Sequence, residues 1–200
     1  MSHPSRWAGL SPAERRAGRR KLLVKAAFEL LGTEGESAVT VRSVCRGAKL
    51  NNRYFYENFT DVNEVLGVVY DEVAADLIDA LNKAMADQPD DRARLRAGIR
   101  AALDFSSADP RRGRVLFTEG RTNPVLVARR AASQQQLLES VLPESAPESR
   151  AARLAQRVGA SMYAGAMAEL ARQWLSGALG TDLDAVVDTV IRLLAPTQRR

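Results

Sequence analysis

The chain has 200 residues, a formal net charge of +5 and 46% hydrophobic residues, which is enough to build a sizeable core in one or two compact units. No apolar run approaches the roughly 20 residues that cross a membrane, and the N-terminus lacks the apolar segment of a secretory signal, so we expect a cytoplasmic protein with no membrane partner. Cys45 and His3 are the only cysteine and histidine; this argues against disulfides, most zinc sites and most hydrolytic triads, so we predict no metal, no cofactor and no enzymatic activity.

The positive charge is concentrated in the N-terminal part of the chain. Residues 1–60 hold eleven Lys or Arg and five Glu, a net charge of +6, so residues 61–200 sum to −1. A local basic field of this kind suits binding to the phosphates of a nucleic acid. Attachment to a membrane surface is the competing interpretation, but the basic segment lacks the bulky apolar face of an interfacial helix.

The first predicted elements are a flexible arm, residues 1–12, and a long helix. The helix, from about residue 13 to residue 32, is indicated by an apolar stripe at helical spacing that comprises Leu22, Leu23, Ala26, Ala27, Leu30 and Leu31. Either Gly32 or Gly35 is expected to end it.

Residues 40–66 predict two short helices joined by a tight turn, with a third helix directly after them. Thr40 can cap the first helix, Lys49 and Leu50 form the turn, and Asn51 can cap the second helix. One face of the first helix is apolar: Val41, Val44, Cys45 and Ala48. In the second helix Phe55 and Phe59 face inward, which leaves outward Asn52, Arg53, Tyr54 and Tyr56. Such a helix suits a DNA major groove; an ordinary helical hairpin with a polar solvent face is the alternative.

The remainder of the chain also predicts helices, and we find no strand pattern. A long helix opens at Asp61 and Glu64, a D-x-x-E form of the capping box, and fades near residues 87–89. Further helices are expected over 91–107, after Pro110, and from Asn123-Pro124 to about residue 142. Residues 143–149, PESAPES, predict a loop.

Two helices close the sequence, over about 149–175 and 182–194. The first is rich in small residues, including Gly159, Gly165 and Ala168. Because small residues let helices approach closely, the pair can form a flat helix–helix interface. Packing inside one chain is the alternative.

The segment from about Arg15 to Leu66 resembles the tetracycline-repressor (TetR) family of bacterial transcription regulators. The matching stretches are AAFELLGTEG (26–35), TVRSVCRGAKL (40–50) and YFYENF (54–59), followed by an acidic-capped helix. The resemblance implies an all-α fold of about nine helices, with a helix-turn-helix DNA-binding domain at 13–60 and a ligand-binding and dimerisation domain at 61–200. It also implies a homodimer through the last two helices that binds a palindromic operator in double-stranded DNA.

The sequence departs from the family pattern at the proposed contact surface. Lys49-Leu50-Asn51 replaces the usual Gly-Val-Ser turn, Arg53-Tyr54 replaces a small Gly-Thr pair, and Val62 stands where many members have a phosphate-contacting Lys. We predict that base edges are contacted by Asn52, Arg53 and Tyr54. Phosphates are expected to meet Thr40, Arg42, Lys49, Asn51 and Tyr56, with Arg19 and Arg20 reaching phosphate or the adjacent minor groove. A solvated surface residue is the alternative for each.

The resemblance also implies a ligand cavity in the middle of the C-terminal domain. The candidate lining residues are Phe105, Leu116, Phe117, Met162, Tyr163, Met167 and Trp174, and the candidate polar groups are Glu119, Arg121 and Gln134. Plain core packing is the alternative for the aromatic and Met side chains.

These patterns together predict a ligand-responsive, sequence-specific DNA-binding transcription regulator, a repressor that a small molecule releases from its operator. A helical small-molecule- or lipid-binding protein without DNA activity is the alternative. A gel-shift titration against genomic fragments separates the two, because only the regulator selects discrete sites.

Overall fold

The computed structural model describes residues 11–141 and 149–194. These residues form nine α-helices and no strand, which confirms the all-α prediction. The helices are α1 (Pro12–Thr33), α2 (Val41–Ala48), α3 (Asn52–Tyr56), α4 (Val62–Met85), α5 (Asp91–Ala108), α6 (Pro110–Gly113), α7 (Pro124–Val141), α8 (Arg150–Leu175) and α9 (Leu183–Leu194). A 3-10 turn covers Glu36–Ala38, and a π-helical segment covers Arg114–Thr118. Residues 1–10 of the predicted arm and residues 143–148 of the predicted loop lie outside the described residues. Pro12, predicted as part of the arm, begins α1, because Ser11 caps the helix there.

Side-chain caps fix where the N-terminal helices begin. Thr40 and Asn51 cap α2 and α3 as predicted, each accepting a hydrogen bond from the backbone amide three residues later, at 3.1 and 3.3 Å. The capping box predicted at α4 is only half right. Asp61 accepts from the amide of Glu64 at 2.8 Å, but the Glu64 carboxylate accepts from the amide and hydroxyl of Thr60, at 2.6 and 2.9 Å, because that residue offers two donors.

A continuous apolar core runs from the N-terminal helices into the C-terminal part of the chain. The side chains of Leu23, Val44 and Phe55 are fully buried at its N-terminal end. Helix α4 adds Val65, Leu66, Val69, Tyr70, Val73, Ala74, Leu77 and Leu81. Helix α4 packs against α1, α5 and α7 and so connects the N-terminal unit with the C-terminal helices.

Helix α9 packs on α5 through a second, smaller apolar cluster. Its members are Ile99 and Leu103 of α5, Ala171 of α8, and Val187 and Ile191 of α9. The contact is flanked by ion pairs of Arg96 and Arg100 with Asp184 and Asp188. No described helix is both long and apolar enough to cross a membrane.

Candidate nucleic-acid interface and ligand region

Most of the polar residues predicted to contact DNA lie on the surface of the unit formed by α2, the turn and α3. Arg42 on α2, Lys49 in the turn, and Asn52 and Arg53 on α3 are all exposed. The side chain of Arg53 is 83% exposed, and Tyr56 is 63% exposed although it is a large aromatic residue. The arrangement presents cations and amide groups at the start of a short helix, where base edges and phosphates can be reached together.

Packing holds α3 in place despite its length of five residues. A helix this short is unstable alone in water, because nucleation costs more than one turn of hydrogen bonds returns. Phe55 and Phe59 are 0% and 2% exposed, with ring centroids 5.6 Å apart. The buried amide of Asn58 donates to the carbonyl of Tyr54 at 2.7 Å. The outward side chains of α3 therefore project from a fixed backbone.

The turn before α3 has an unusual backbone at Lys49. Its φ of 56° lies in the left-handed region, and it is the only non-glycine residue with positive φ among those described. Glycine adopts this conformation at lower cost. Here the residue is lysine, which forms the C-cap of α2 and has an exposed side chain.

Arg19 and Arg20 do not extend into solvent as the predicted phosphate contact requires. The Arg19 side chain is 15% exposed, lies 3.4 Å from the Glu57 carboxylate, and stacks 4.5 Å from the ring centroid of Tyr54. Arg20 donates to the carbonyl of Asn58 at 2.8 Å. Both guanidinium groups thus join α1 to the end of α3, a tertiary contact that the sequence pattern does not reveal. Tyr54 is half-buried for the same reason.

Glu57 lies beside the candidate DNA-binding residues, and the sequence predictions did not include it. It forms the C-cap of α3, and its carboxylate pairs with both Arg19 and Arg53. The spacing of Arg53 and Glu57, four residues apart with opposite charge, is a signal that could have identified one of these pairs.

The residues predicted to line a ligand cavity lie partly in the apolar core and partly at the surface. Met162, which is 70% exposed on α8, and Arg121 lie at the surface of the protomer. Leu116 is buried in the core that reaches the N-terminal unit. Four apolar candidates are half-buried and pack against the two apolar clusters: Phe105, Phe117, Met167 and Trp174. Tyr163 is half-buried on α8. Gln134 is half-buried on α7.

Two surface grooves are lined by none of these ten residues. One, of about 480 Å³, lies between the start of α5 and the end of α9 and includes Arg92, Arg96 and Asp188. The other, of about 380 Å³, lies between α4 and α7, where Ala74, Ala75, Ile78 and Ala132 form an apolar surface beside an Asp71–Arg129 ion pair of 2.7 Å.

Glu119, predicted as a ligand group, instead joins the C-terminal helices to the end of α1. Its side chain is 15% exposed, it pairs with Arg114 at 2.7 Å, and it accepts from the amide of Glu36 at 3.3 Å. Arg114 also donates to the carbonyl of Thr33 at 2.7 Å. Arg130 of α7 donates to the backbone carbonyl of Glu119 at 3.0 Å. A chain of polar contacts therefore connects α7 with the helix that supports α3.

Helix α6 makes a second close contact with α1. Arg111 pairs with Asp109 at 2.7 Å and with Glu29 of α1. A Cβ atom on Gly32 would lie 2.5 Å from the Cβ of Arg111, so only glycine permits this approach. Hydrogen bonds from Arg111 hold the pKa of Asp109 below its usual range.

Helices α8 and α9 each expose large apolar side chains that belong to neither apolar cluster. We call this set the α8–α9 surface; its members are Leu154, Val158, Met162, Leu193 and Leu194, which are 49–77% exposed. The three α8 members are four residues apart and so share one face. Gly165 lies beside them, with open space around the position of its absent side chain. Exposed apolar patches of this kind mark interaction sites.

Comparisons with known proteins agree on the type of fold. No family model matches the chain. Over 175 residues, 87% of this chain and 80% of the relative, it is 24% identical to the HTH-type transcriptional activator FasR of Mycolicibacterium smegmatis.

Solved structures of regulators superpose on most of the chain. The fatty acid degradation regulator FadR from Bacillus halodurans gives a TM-score of 0.70 at 18% identity and covers 91% of this chain and 97% of its own. FadR from Bacillus subtilis, solved with stearoyl-CoA, gives 0.69 at 18% identity and covers 88% and 97%. A TetR-like regulator from Rhodococcus sp. RHA1 gives 0.65 at 18% identity and covers 88% and 93%. The resemblance drawn from residues 15–66 is confirmed in the fold of the chain.

Proposed function

We propose that this chain, whose fold is that of the TetR-like transcription regulators, is a ligand-responsive, sequence-specific DNA-binding repressor. The observation that carries the proposal is the rigid α2–turn–α3 unit with an exposed polar and cationic face. Fixed exposed side chains at the start of a buttressed helix are what major-groove reading requires. A lipid-binding protein without DNA activity gives no reason for the exposed polar residues of α3 or for the exposed Tyr56.

The base contacts are assigned to Asn52 and Arg53, the exposed side chains at the start of α3. An arginine can donate two hydrogen bonds to guanine, and an asparagine can pair with adenine. Phosphate contacts are assigned to Thr40, Arg42, Lys49, Asn51 and Tyr56. Arg19 and Arg20 are assigned instead to supporting α3 from α1, because their guanidinium groups already have partners there.

The α8–α9 surface is proposed as the interface of a symmetric homodimer. One helix-turn-helix unit offers few base contacts, so specificity requires two half-sites at a fixed spacing. A two-fold contact of this surface with itself would cover its exposed apolar side chains and leave the DNA-binding units free. A palindromic operator follows from that symmetry.

Ligand binding is proposed to act through the groove between α4 and α7. Arg129 lines this groove, and the next residue, Arg130, donates to the carbonyls of Leu116 and Glu119, both at 3.0 Å. A ligand that separates α7 from α4 would displace Arg130 and disturb the contact between Glu119 and the end of α1. Since α1 supports α3, the two recognition helices would lose the spacing of about 34 Å that one DNA turn needs.

A long-chain acyl-CoA is proposed as the class of effector. The support is the likeness of fold to the Bacillus subtilis regulator solved with stearoyl-CoA, together with a groove whose apolar residues lie beside Arg129, the ion-pair partner of Asp71. An acyl chain would lie along Ala74, Ile78 and Ala132, and the anionic carrier would meet Arg129 at the edge of the groove.

The test is selection of bound fragments from sheared genomic DNA, followed by gel-shift titration of the selected sites. We expect discrete sites bound by the dimer, and we expect stearoyl-CoA to lower the affinity, whereas coenzyme A alone does not. Binding to all fragments alike, or to none, would contradict the regulator. The Mycolicibacterium smegmatis relative is named an activator, so a separate experiment is needed to distinguish repression from activation. Transcription from a selected promoter is measured in vitro with and without the protein, and stimulation by the protein would contradict repression.

A further inference from the structure

We infer that Glu57 positions Arg53 for reading a base and raises the preference for the operator over other DNA. The inference rests on the proposed DNA-binding function and adds to it a residue that touches no DNA itself. The Glu57 carboxylate lies between α1 and α3, where it contacts an arginine from each helix.

The Glu57 carboxylate joins arginines from two different elements. Oε1 accepts a hydrogen bond from Nε of Arg53 at 3.1 Å, and Oε2 lies 3.4 Å from Nη2 of Arg19 on α1. Arg19 is itself confined, with 15% exposure and a ring contact to Tyr54. The backbone carbonyl of Glu57 accepts from Arg16 of α1. The carboxylate is therefore held from the α1 side before Arg53 contacts it.

This arrangement makes the Arg53–Glu57 pair more ordered than an ordinary surface pair. An isolated pair four residues apart on a helix contributes only about 0.3–0.5 kcal/mol, since both side chains lose rotamer freedom. Here the Glu57 side chain is 33% exposed and is already held by Arg19. Formation of the pair therefore costs rotamer freedom only at Arg53. The pair uses Nε of Arg53, and the terminal amino groups remain for O6 and N7 of guanine.

The same carboxylate also reduces the attraction of this region for DNA of any sequence. Glu57 offsets part of the positive charge of Arg19 and Arg53 close to the proposed phosphate contacts. Binding to phosphates depends on net cation count and is independent of sequence. Specificity rises when such contacts are weakened while a directed base contact is kept.

The substitution Glu57→Gln tests both effects, with Glu34→Gln as a charge-matched control at the exposed far end of α1. Affinity is measured for a selected site, for the same site with each base changed, and for unrelated DNA over a range of salt. For E57Q we expect tighter binding to unrelated DNA, a salt dependence steeper by about one unit, and a loss of roughly tenfold in the preference at one base pair per half-site. E34Q should keep the base preference.

Two further measurements separate positioning from a merely structural role. If Glu57 acts through Arg53, E57Q in an Arg53→Ala background leaves the remaining base preference unchanged. In the free wild-type protein, the Nε proton of Arg53 should exchange with solvent more slowly than that of exposed Arg42, and this needs no substitution. Equal exchange rates, or an E57Q protein with unchanged base preference, would overturn the inference. A wild-type protein that selects no sites would instead overturn the proposed function.

Discussion

Replacing Met162 by Glu should break the proposed dimer without unfolding the protomer. Met162 is 70% exposed and contributes little to either apolar cluster, so the substitution leaves the core intact. Val190 is a poorer choice, although it lies on α9, because it packs against the second cluster. In a two-fold interface the new carboxylate appears twice, facing an apolar surface.

The expected loss of dimer stability can be worked from the exposure of Met162. Burying a whole Met side chain is worth about 1.5–3 kcal/mol, so covering the exposed 70% contributes about 1–2 kcal/mol per protomer and about 2–4 kcal/mol per dimer. Two buried carboxylates without partners add a cost of several kcal/mol. A total above about 4 kcal/mol raises the dissociation constant at least about a thousandfold.

Sedimentation velocity over a range of concentrations measures this change, with Met162→Leu and Ala185→Glu as controls. The first control keeps the apolar character of the position, and the second adds the same charge at an exposed α9 position outside the α8–α9 surface. Both should remain dimeric, whereas Met162→Glu should be a folded monomer by circular dichroism. A wild-type dimer that tolerates Met162→Glu unchanged would refute the interface assignment.

Three other substitutions test separate steps. Arg53→Ala should weaken specific binding by about 1–3 kcal/mol in gel shifts and relax the preference at one base position, whereas unchanged affinity and preference would remove its assigned role. Arg130→Met should lower operator affinity without ligand and reduce the further effect of stearoyl-CoA; wild-type affinity together with full release would contradict the proposed transmission through Glu119. Hydrogen bonds lower the pKa of Asp109 in the folded protein, so they stabilise the fold at pH values above about 3.8, the ordinary pKa of this carboxyl group. This stabilisation is lost as the pH falls through the lowered pKa. Asp109→Asn should therefore lower the melting temperature at pH 7 and flatten its decline in acid, and equal curves for both proteins would contradict this coupling.

Local signals in the sequence predicted the order of the helices and the caps of α2 and α3. The caps at Thr40 and Asn51 depend on residues three positions apart, and these contacts form as predicted. The apolar spacing of Phe55 and Phe59 likewise identified two buried side chains. Exposure around α3 followed directly, since the buried positions of a helix determine which positions remain outward.

Contacts between distant segments could not be read in the same way. Arg19 is an ordinary cation in the sequence, and only the packing of α1 against α3 reveals its partners Tyr54 and Glu57. Glu119 has an amide partner 83 residues earlier in the chain. Met162 has the spacing of a core residue, but the side of α8 that carries it faces away from both clusters. Periodicity identifies apolar faces but does not tell whether the same chain or a second copy covers them.

Hydroxyl-radical footprinting of the wild-type protein on a selected genomic fragment tests the central claim most directly. A symmetric dimer should give two equivalent protected stretches related by a two-fold axis, with their centres about 10 base pairs or a multiple of that apart. The Met162→Glu variant should lose both stretches together at limiting protein concentration. A single protected stretch, or protection that persists with the monomeric variant at the same concentration, would contradict a symmetric dimeric regulator.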